Sequence, residues 1–177
     1  MVFYTTKREY DKKNKKNGEV KEYDLDNNII FIGEYSRGER IKGIEYYING
    51  NKKYEGDYKN GKRWNGTLYD TNNKFKYEIK SGRGKIKEYH ENGFLLFEGT
   101  IKNGDKSGEG KDYDENGRLI FQGNYKRGIK NGNGQIFNDN GDIIFDGVFN
   151  NGEQGEGKIF KYEFERFNDK SKRRYKK

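Results

Sequence analysis

Along LIFQGNYK (119 to 126), Phe121, Gly123 and Tyr125 alternate with Ile120, Gln122 and Asn124. A period of two predicts a β-strand with one ring-bearing face. The same phrase (an aromatic, any residue, Gly, any residue, then an aromatic or β-branched residue) recurs as Phe31-Gly33-Tyr35, Tyr54-Gly56-Tyr58, Phe97-Gly99-Ile101 and Phe145-Gly147-Phe149. A degenerate copy, Phe75-Tyr77-Ile79, stands between the second and third. The starts at 31, 54, 75, 97, 121 and 145 lie 23, 21, 22, 24 and 24 residues apart. Self-similarity at such a period marks a repeat array. Half a unit later runs a second ladder of Tyr23, Tyr47, Tyr69, Tyr89, Tyr113, Phe137 and Phe160.

Each unit therefore reads as two strands and two turns. After LIFQGNYK comes the Gly- and Asn-rich KRGIKNG, predicted as a turn because Asn and Gly accept positive φ. GNGQIFND then forms the second strand, and Asn140-Gly141 reverses the chain, as do Asn-Gly pairs at 92–93 and 116–117. Asn-Gly between strand patterns is a strong hairpin signal. The expected fold is all-β: an elongated, single-layer antiparallel meander of stacked hairpins. Residues 1–30 supply an incomplete hairpin or cap, 31–160 six repeats, and 161–177 a C-terminal cap and basic tail. One hairpin alone is marginal in water; stacked hairpins share a stripe of rings and gain stability from their neighbours. In IFKYEFERFNDK, Phe160, Tyr162 and Phe164 alternate as a strand, while Phe160, Phe164 and Phe167 fit a helical face. Either would cover the last edge, which otherwise invites self-association.

Composition strengthens this reading. The chain has 177 residues, 29% hydrophobic, 37% charged and 16% aromatic, with 25 Gly, 15 Tyr and 12 Phe. There is no Ala and no Pro, so the best helix former is missing while strand-favouring rings abound. The apolar material is scarce and ring-shaped, which suits a thin structure. Without cysteine there is no disulfide, thiolate zinc site or Cys nucleophile. The N-terminal MVFYTTKREYDKKNKKNG lacks the apolar run of a signal peptide. No stretch approaches the roughly 20 apolar residues of a membrane span. The expected compartment is the cytoplasm, with membrane or cytoskeletal association as the alternative.

YEGDYKNGKRWNG (54 to 66) and FEGTIKNGDKSGEG (97 to 110) resemble the MORN repeat, the membrane occupation and recognition nexus motif, whose pattern is roughly Tyr-x-Gly-x-Trp-x-x-Gly, then Lys or Arg, then Gly-x-Gly. The similarity covers about residues 31 to 160. It implies a twisted, grooved single-layer sheet and an interaction module without catalysis of its own. Members of the family are linked to membrane contact, dimerisation or cytoskeletal scaffolds, and similar repeats occur in antitoxin-like proteins. The chain departs from the pattern in two ways. The first-strand Trp position holds Tyr35, Tyr58, Ile79, Ile101, Tyr125 and Phe149, and the sole tryptophan, Trp64, reads as lying in a turn. The copy at 75 to 93 has lost its first Gly and has a shortened turn, which predicts a kink or an unusual surface there.

Candidate chemistry is thin. Gly82-x-Gly84, Gly108-x-Gly110, Gly132-x-Gly134 and Gly155-x-Gly157 lack the third Gly and the following helix of a dinucleotide loop. Asp112, Asp114, Asn116 and Gly117 match calcium-loop positions one, three, five and six, but Gly123 stands where the bidentate Glu belongs. His90 is the only histidine, so no multi-His site or Ser-His-Asp set can be completed with a second. Asn65-Gly66-Thr67 is a glycosylation sequon, idle without secretion. No cofactor or metal is expected, and no catalytic residues.

The net charge of +8 is unevenly placed. Residues 1 to 18 hold six Lys/Arg against two Asp/Glu, residues 161 to 177 eight against three, and residues 19 to 160 23 against 24. The array is nearly neutral and its ends are basic, which argues against nucleic-acid recognition by the rings. Two main readings follow, beside an antitoxin-like binding protein and an enzyme with an unforeseen carboxylate site as further alternatives. In the first the chain is a non-catalytic protein-binding scaffold, with Tyr35, Tyr58, Trp64 and Tyr125 as exposed contacts, since such rings bury area and keep a polar handle. In the second it is a peripheral membrane adaptor using Lys170, Lys172, Arg173, Arg174, Lys176 and Lys177 on anionic lipid. Self-association through edge strands is compatible with both.

Overall fold

The computed structural model of the chain describes residues 16–161, together with the backbone of residues 3–5. Among the described residues every regular element is a strand. The first sheet runs β1 (Phe3–Thr5), β2 (Gly18–Tyr23), β3 (Ile29–Ser36), β4 (Glu39–Tyr46), β5 (Lys52–Lys59), β6 (Lys62–Tyr69) and β7 (Lys76–Ile79), each hydrogen-bonded to the next. The second runs β8 (Gly84–Tyr89), β9 (Leu95–Lys102), β10 (Asp105–Tyr113), β11 (Leu119–Lys126), β12 (Ile129–Phe137), β13 (Ile143–Asn150) and β14 (Glu153–Ile159) in the same way. All pairings are antiparallel. Extensive contact is confined to sequence neighbours, with β6 to β8 the exception, so the fold is one layer thick. The expected all-β antiparallel meander is what forms, divided into two sheets.

Two kinds of turn alternate. Within a unit the turn is a residue pair with positive φ at both positions: Asn60 (51°) and Gly61 (72°), Asn103 (55°) and Gly104 (79°), Arg127 (54°) and Gly128 (83°). This backbone matches the twist of the strands it joins. KRGIKNG is thus mostly strand: only Arg127 and Gly128 turn, and β12 already begins at Ile129. The remaining glycine, Gly132, sits in a bulge where β12 spends three residues, 131 to 133, against Asn124 alone on β11, and takes φ +100°. Between units the turn is longer. The Asp114 amide donates to the Arg118 carbonyl and the Gly117 amide to the Asp114 carbonyl, both at 2.9 Å. Gly93, Gly117 and Gly141 each take positive φ in this kind of turn. Tyr47 heads such a turn, its amide donating to Asn51, and Tyr46 holds the strand-end place expected of Tyr47.

The rings pack in an edge-to-face zigzag. In the second sheet Phe97–Tyr125, Phe121–Tyr125, Phe121–Phe149 and Phe145–Phe149 have centroids 5.9, 5.4, 5.2 and 5.3 Å apart. Such pairs contribute about 0.5–1.5 kcal/mol beyond area burial. Each ring of the Phe121 type folds over the glycine two residues later. A Cβ on Gly123 would stand 2.8 Å from Phe121 Cζ and 2.5 Å from Gly134 Cα. The glycines accordingly align across the sheet, Gly99, Gly110, Gly123, Gly134, Gly147 and Gly157 being successive partners.

This row breaks at the degenerate copy. Phe75, expected in the ring line, is 60% exposed and lies in the preceding turn; Tyr77 takes the place opposite Leu68. Ile79 pairs with Gly66, and Ile86 with Gly99. Two buried isoleucines thus stand where glycine rows would bring backbones together, and beyond Lys80–Arg83 no ladder joins β7 to β8. The expected irregularity is a division of the sheet. Strand β8, GKIKEY, closely repeats β2, GEVKEY, with Val20 opposite Gly33 as Ile86 is opposite Gly99.

Candidate functional site

The tyrosines expected as exposed contacts are interior. Tyr35, Tyr58 and Tyr125 are 9%, 8% and 5% exposed, and each hydroxyl donates to a carboxylate: Glu22, Glu45 (2.7 Å) and Asp112. A one-layer sheet has no second layer to cover its rings, and a roof of charged side chains covers them instead. Arg40 lies 4.0 Å over Phe31, Arg63 5.2 Å over Tyr54, Lys106 4.1 Å over Phe97 and Lys130 4.2 Å over Phe121. Three of these cations pair with the same carboxylates, Arg40 with Glu22, Arg63 with Glu45, and Lys106 with Asp112 at 2.7 Å. Stems cover apolar surface while the heads stay paired and favourably placed over the rings.

The roof explains the titration of its members. Burial, reinforced by the Glu22 acceptor, pushes the Tyr35 hydroxyl up to about 12. The Tyr58 and Tyr125 hydroxyls move further the same way, through burial and then the adjoining carboxylate. Burial opposes the charge of Glu45, yet Arg63 and the Tyr58 hydroxyl hold it below the ordinary carboxylate range. Burial lowers Lys130. Sequence reading missed this layer although its spacing is regular. The carboxylate stands nine residues before the ring and the cation nine after: 22, 31, 40; 45, 54, 63; 88, 97, 106; 112, 121, 130. Around Phe145 the pattern lapses into Ile136 and Gln154.

Trp64 lies in β6 rather than in a turn. It is half-buried, with Lys59 Nζ 4.6 Å over its ring and Gly82 so close beneath that a Cβ there would meet the ring at 2.7 Å. The structure brings the four expected aromatics to no common exposed patch. The expected basic-tail contacts, Lys170 to Lys177, and the alternative strand or helix cap beyond Lys161 lie outside the described residues.

An open surface lies on the other face, along β8–β13. A groove of about 930 Å³ follows the backbone of Gly99, Gly110, Gly123 and Gly134. Polar rows wall it. Lys87, Glu98, Lys111, Gln122, Gln135 and Asp146 are successive cross-strand partners, and Lys85, Thr100, Glu109, Asn124 and Asn133 stand opposite. The charges balance, three lysines against three carboxylates. Lys87 bonds Glu98 at 3.0 Å and is the main reason the Glu98 carboxyl is lowered; Gln135 donates to Asp146 at 2.9 Å. Four amides, Gln122, Asn124, Asn133 and Gln135, occupy the middle, where each can donate and accept. The signal was present in the sequence, as the residues flanking each strand glycine, but rings drew the assignment to the opposite face. Tyr77 of β7 lines the groove beside the division between the sheets.

The remaining motifs are structural. Asp114 Oδ1 accepts the amides of Asn116 and Arg118, both at 2.9 Å, and Asp112 belongs to the roof, so the calcium-like spacing is spent on a turn and a ring cover. Among the described residues no group of three or more His, Asp or Glu has metal-binding geometry, and no helix is long and apolar enough to cross a membrane. His90 Nε2 lies 3.1 Å from the Tyr113 carbonyl, joining neighbouring turns. No protein-family model matches the chain, and no curated protein matches its sequence.

Proposed function

We propose that the chain is a non-catalytic protein-binding scaffold, a repeat module of the MORN kind, whose contact surface is the groove over β8–β13. The carrying observation is the asymmetry of the two faces: the rings are sealed under paired charges, while the opposite face leaves a groove of about 930 Å³ walled by amides and balanced charge. Such a wall suits the mixed donors and acceptors of a polypeptide. It offers no excess positive charge for a phosphate backbone.

Filling the groove tests the proposal. Gln122 and Gln135 are neighbours across β11 and β12, and substitutions on an open surface usually change stability by no more than about 0.5 kcal/mol. Gln122→Trp with Gln135→Trp is expected to keep the circular dichroism spectrum and unfolding midpoint. It should lose the protein captured by the parent chain in affinity purification from its native cell. Undiminished capture refutes the groove assignment. Flotation with anionic vesicles that depends on residues 161 to 177 would favour the membrane-adaptor reading instead.

A further inference from the structure

Inside each sheet neighbouring strands are joined by backbone ladders. Between the sheets β7 and β8 share one bridge, Lys80–Arg83, beside the Ser81–Gly82 turn. Backbone bonds from Gly82 N to Trp64 O (2.7 Å) and from Gly104 N to Gly82 O (2.9 Å) gather at the same end. The seam is otherwise held by side chains, and their charges are sorted. Lys53 meets Glu91 at 2.8 Å, Lys62 meets Asp105 at 2.6 Å, and Arg63 meets Glu88 at 2.7 Å. Every cation belongs to β5 or β6, and every anion lies on the side of the second sheet. The Tyr77 and Tyr89 hydroxyls meet across the seam at 3.0 Å.

We infer that this seam is a salt-sensitive joint: the two sheets swing about the Ser81–Gly82 turn and are held closed by three ion pairs of one polarity. Backbone ladders are indifferent to ionic strength, whereas partly exposed ion pairs are screened. Lys62 and Glu91 are 44% and 39% exposed at the side chain, so screening reaches the seam before it reaches either sheet. Ile79 and Ile86, almost fully buried, limit the swing, so the sheets part at the mouth without separating. Tyr77, on the first-sheet side of the seam, lines the groove, so opening the seam moves part of its wall.

The chain has no cysteine, which permits a direct distance measurement. Nitroxide labels on Glu34→Cys in β3 and Gln122→Cys in β11, both exposed, span the seam. Labels on Lys85→Cys and Glu156→Cys, also exposed, stay within the second sheet. Double electron–electron resonance at about 0.01 M and about 1 M salt, where the screening length falls from roughly 30 to 3 Å, reads both. The expected result is a narrow spanning distance at low salt that broadens and moves at high salt, with the second-sheet pair unchanged. Lys53→Glu with Lys62→Glu should give the high-salt distribution at low salt. Exchanging one pair, Lys62→Asp with Asp105→Lys, should keep the narrow one. A spanning distance that ignores both salt and charge reversal overturns the joint. Equal movement of the second-sheet pair overturns it too, by showing general loosening.

Discussion

Tyr35 combines the two demands made on every roof residue: its ring is interior and its hydroxyl must find an acceptor. Glu22 supplies the acceptor and Arg40 Nε donates to the same hydroxyl oxygen at 3.2 Å. The neutral phenol is the form the fold prefers, so its raised value of about 12 against an ordinary 10.0 has a definite sign. The contribution is complete below pH 10, where the unfolded chain also keeps its proton. It is lost as pH rises from 10 towards 12, because the unfolded state ionises first. Tyr58 and Tyr125 add to this loss in the same direction. Urea unfolding of the parent chain should therefore show stability falling steadily above pH 10. In Tyr35→Phe the fall should be shallower, with a lower starting stability, by about 1 kcal/mol for the lost hydrogen bond. An equal alkaline slope in the two proteins would remove Tyr35 from the set of groups responsible. At this scale the sequence was half legible. The alternation of Phe121, Gly123 and Tyr125 states which rings share a face. It does not state that the face is closed, because the closing residues, Asp112 and Lys130, lie nine positions away on other strands and meet the ring only through strand register.

The glycines divide into two classes that one sequence letter hides, and substitution separates them at the level of the strand and the turn. Gly123 has an ordinary strand backbone but no room: a Cβ would stand 2.6 Å from the Asn133 carbonyl oxygen, 2.5 Å from Gly134 Cα and 2.8 Å from the Phe121 ring. Gly141 has open space around it but a φ of +84°. Gly123→Ala must displace a neighbouring strand or expel a ring, a core-overpacking event that typically costs about 1–3 kcal/mol and sometimes more. Gly141→Ala meets only the backbone penalty of roughly 1–2 kcal/mol for a left-handed L-residue. In denaturant unfolding, Gly123→Ala should accordingly be the more destabilised. Its ring circular dichroism should change, while that of Gly141→Ala should not. The reverse order would mean that the ring-over-glycine contact does not limit strand approach. The Asn-Gly pairs signalled reversals correctly, but not which turn each one makes. KRGIKNG looked like a single turn because glycine serves bulges in β12 as readily as turns. In the copy at Phe75 the ring position lies two residues later than the pattern suggests: Tyr77, eight residues after Tyr69 as Phe121 is eight after Tyr113, stands opposite Leu68, while Phe75 closes the preceding turn by accepting the Asp70 amide.

Nearest-neighbour stability has a consequence for the whole chain, because an array separates first at its weakest interface. Here that interface is the seam, where a backbone ladder is replaced by one bridge, two backbone bonds at Gly82, three ion pairs, the Tyr77–Tyr89 hydroxyl contact and the buried Ile79 and Ile86. The second array opens on GKIKEY, a near copy of GEVKEY, which stands second in the first sheet after the three-residue β1, and in both strands a branched residue, Val20 or Ile86, fills the row that glycine occupies in later strands. A strand that brings its own branched side chain needs no ring from a preceding hairpin, and so can stand first. The second array carries its own continuous ring zigzag from Phe97 to Phe149, with Lys106 and Asp112 above it. A fragment comprising residues 84 to 177 should therefore fold by itself, with a strand-type far-ultraviolet spectrum and a sigmoidal urea transition. The intact chain should depart from two-state unfolding, its calorimetric enthalpy exceeding the van't Hoff value, and the component absent from the fragment should belong to residues before the seam. Added salt should lower the coupling between the two components rather than the stability of the fragment, because screening acts on Lys53, Lys62 and Arg63 and leaves the ladders of β8–β14 intact. A fragment without structure, together with a single two-state transition for the whole chain, would show instead that the seam carries as much cooperativity as any hydrogen-bonded strand pair.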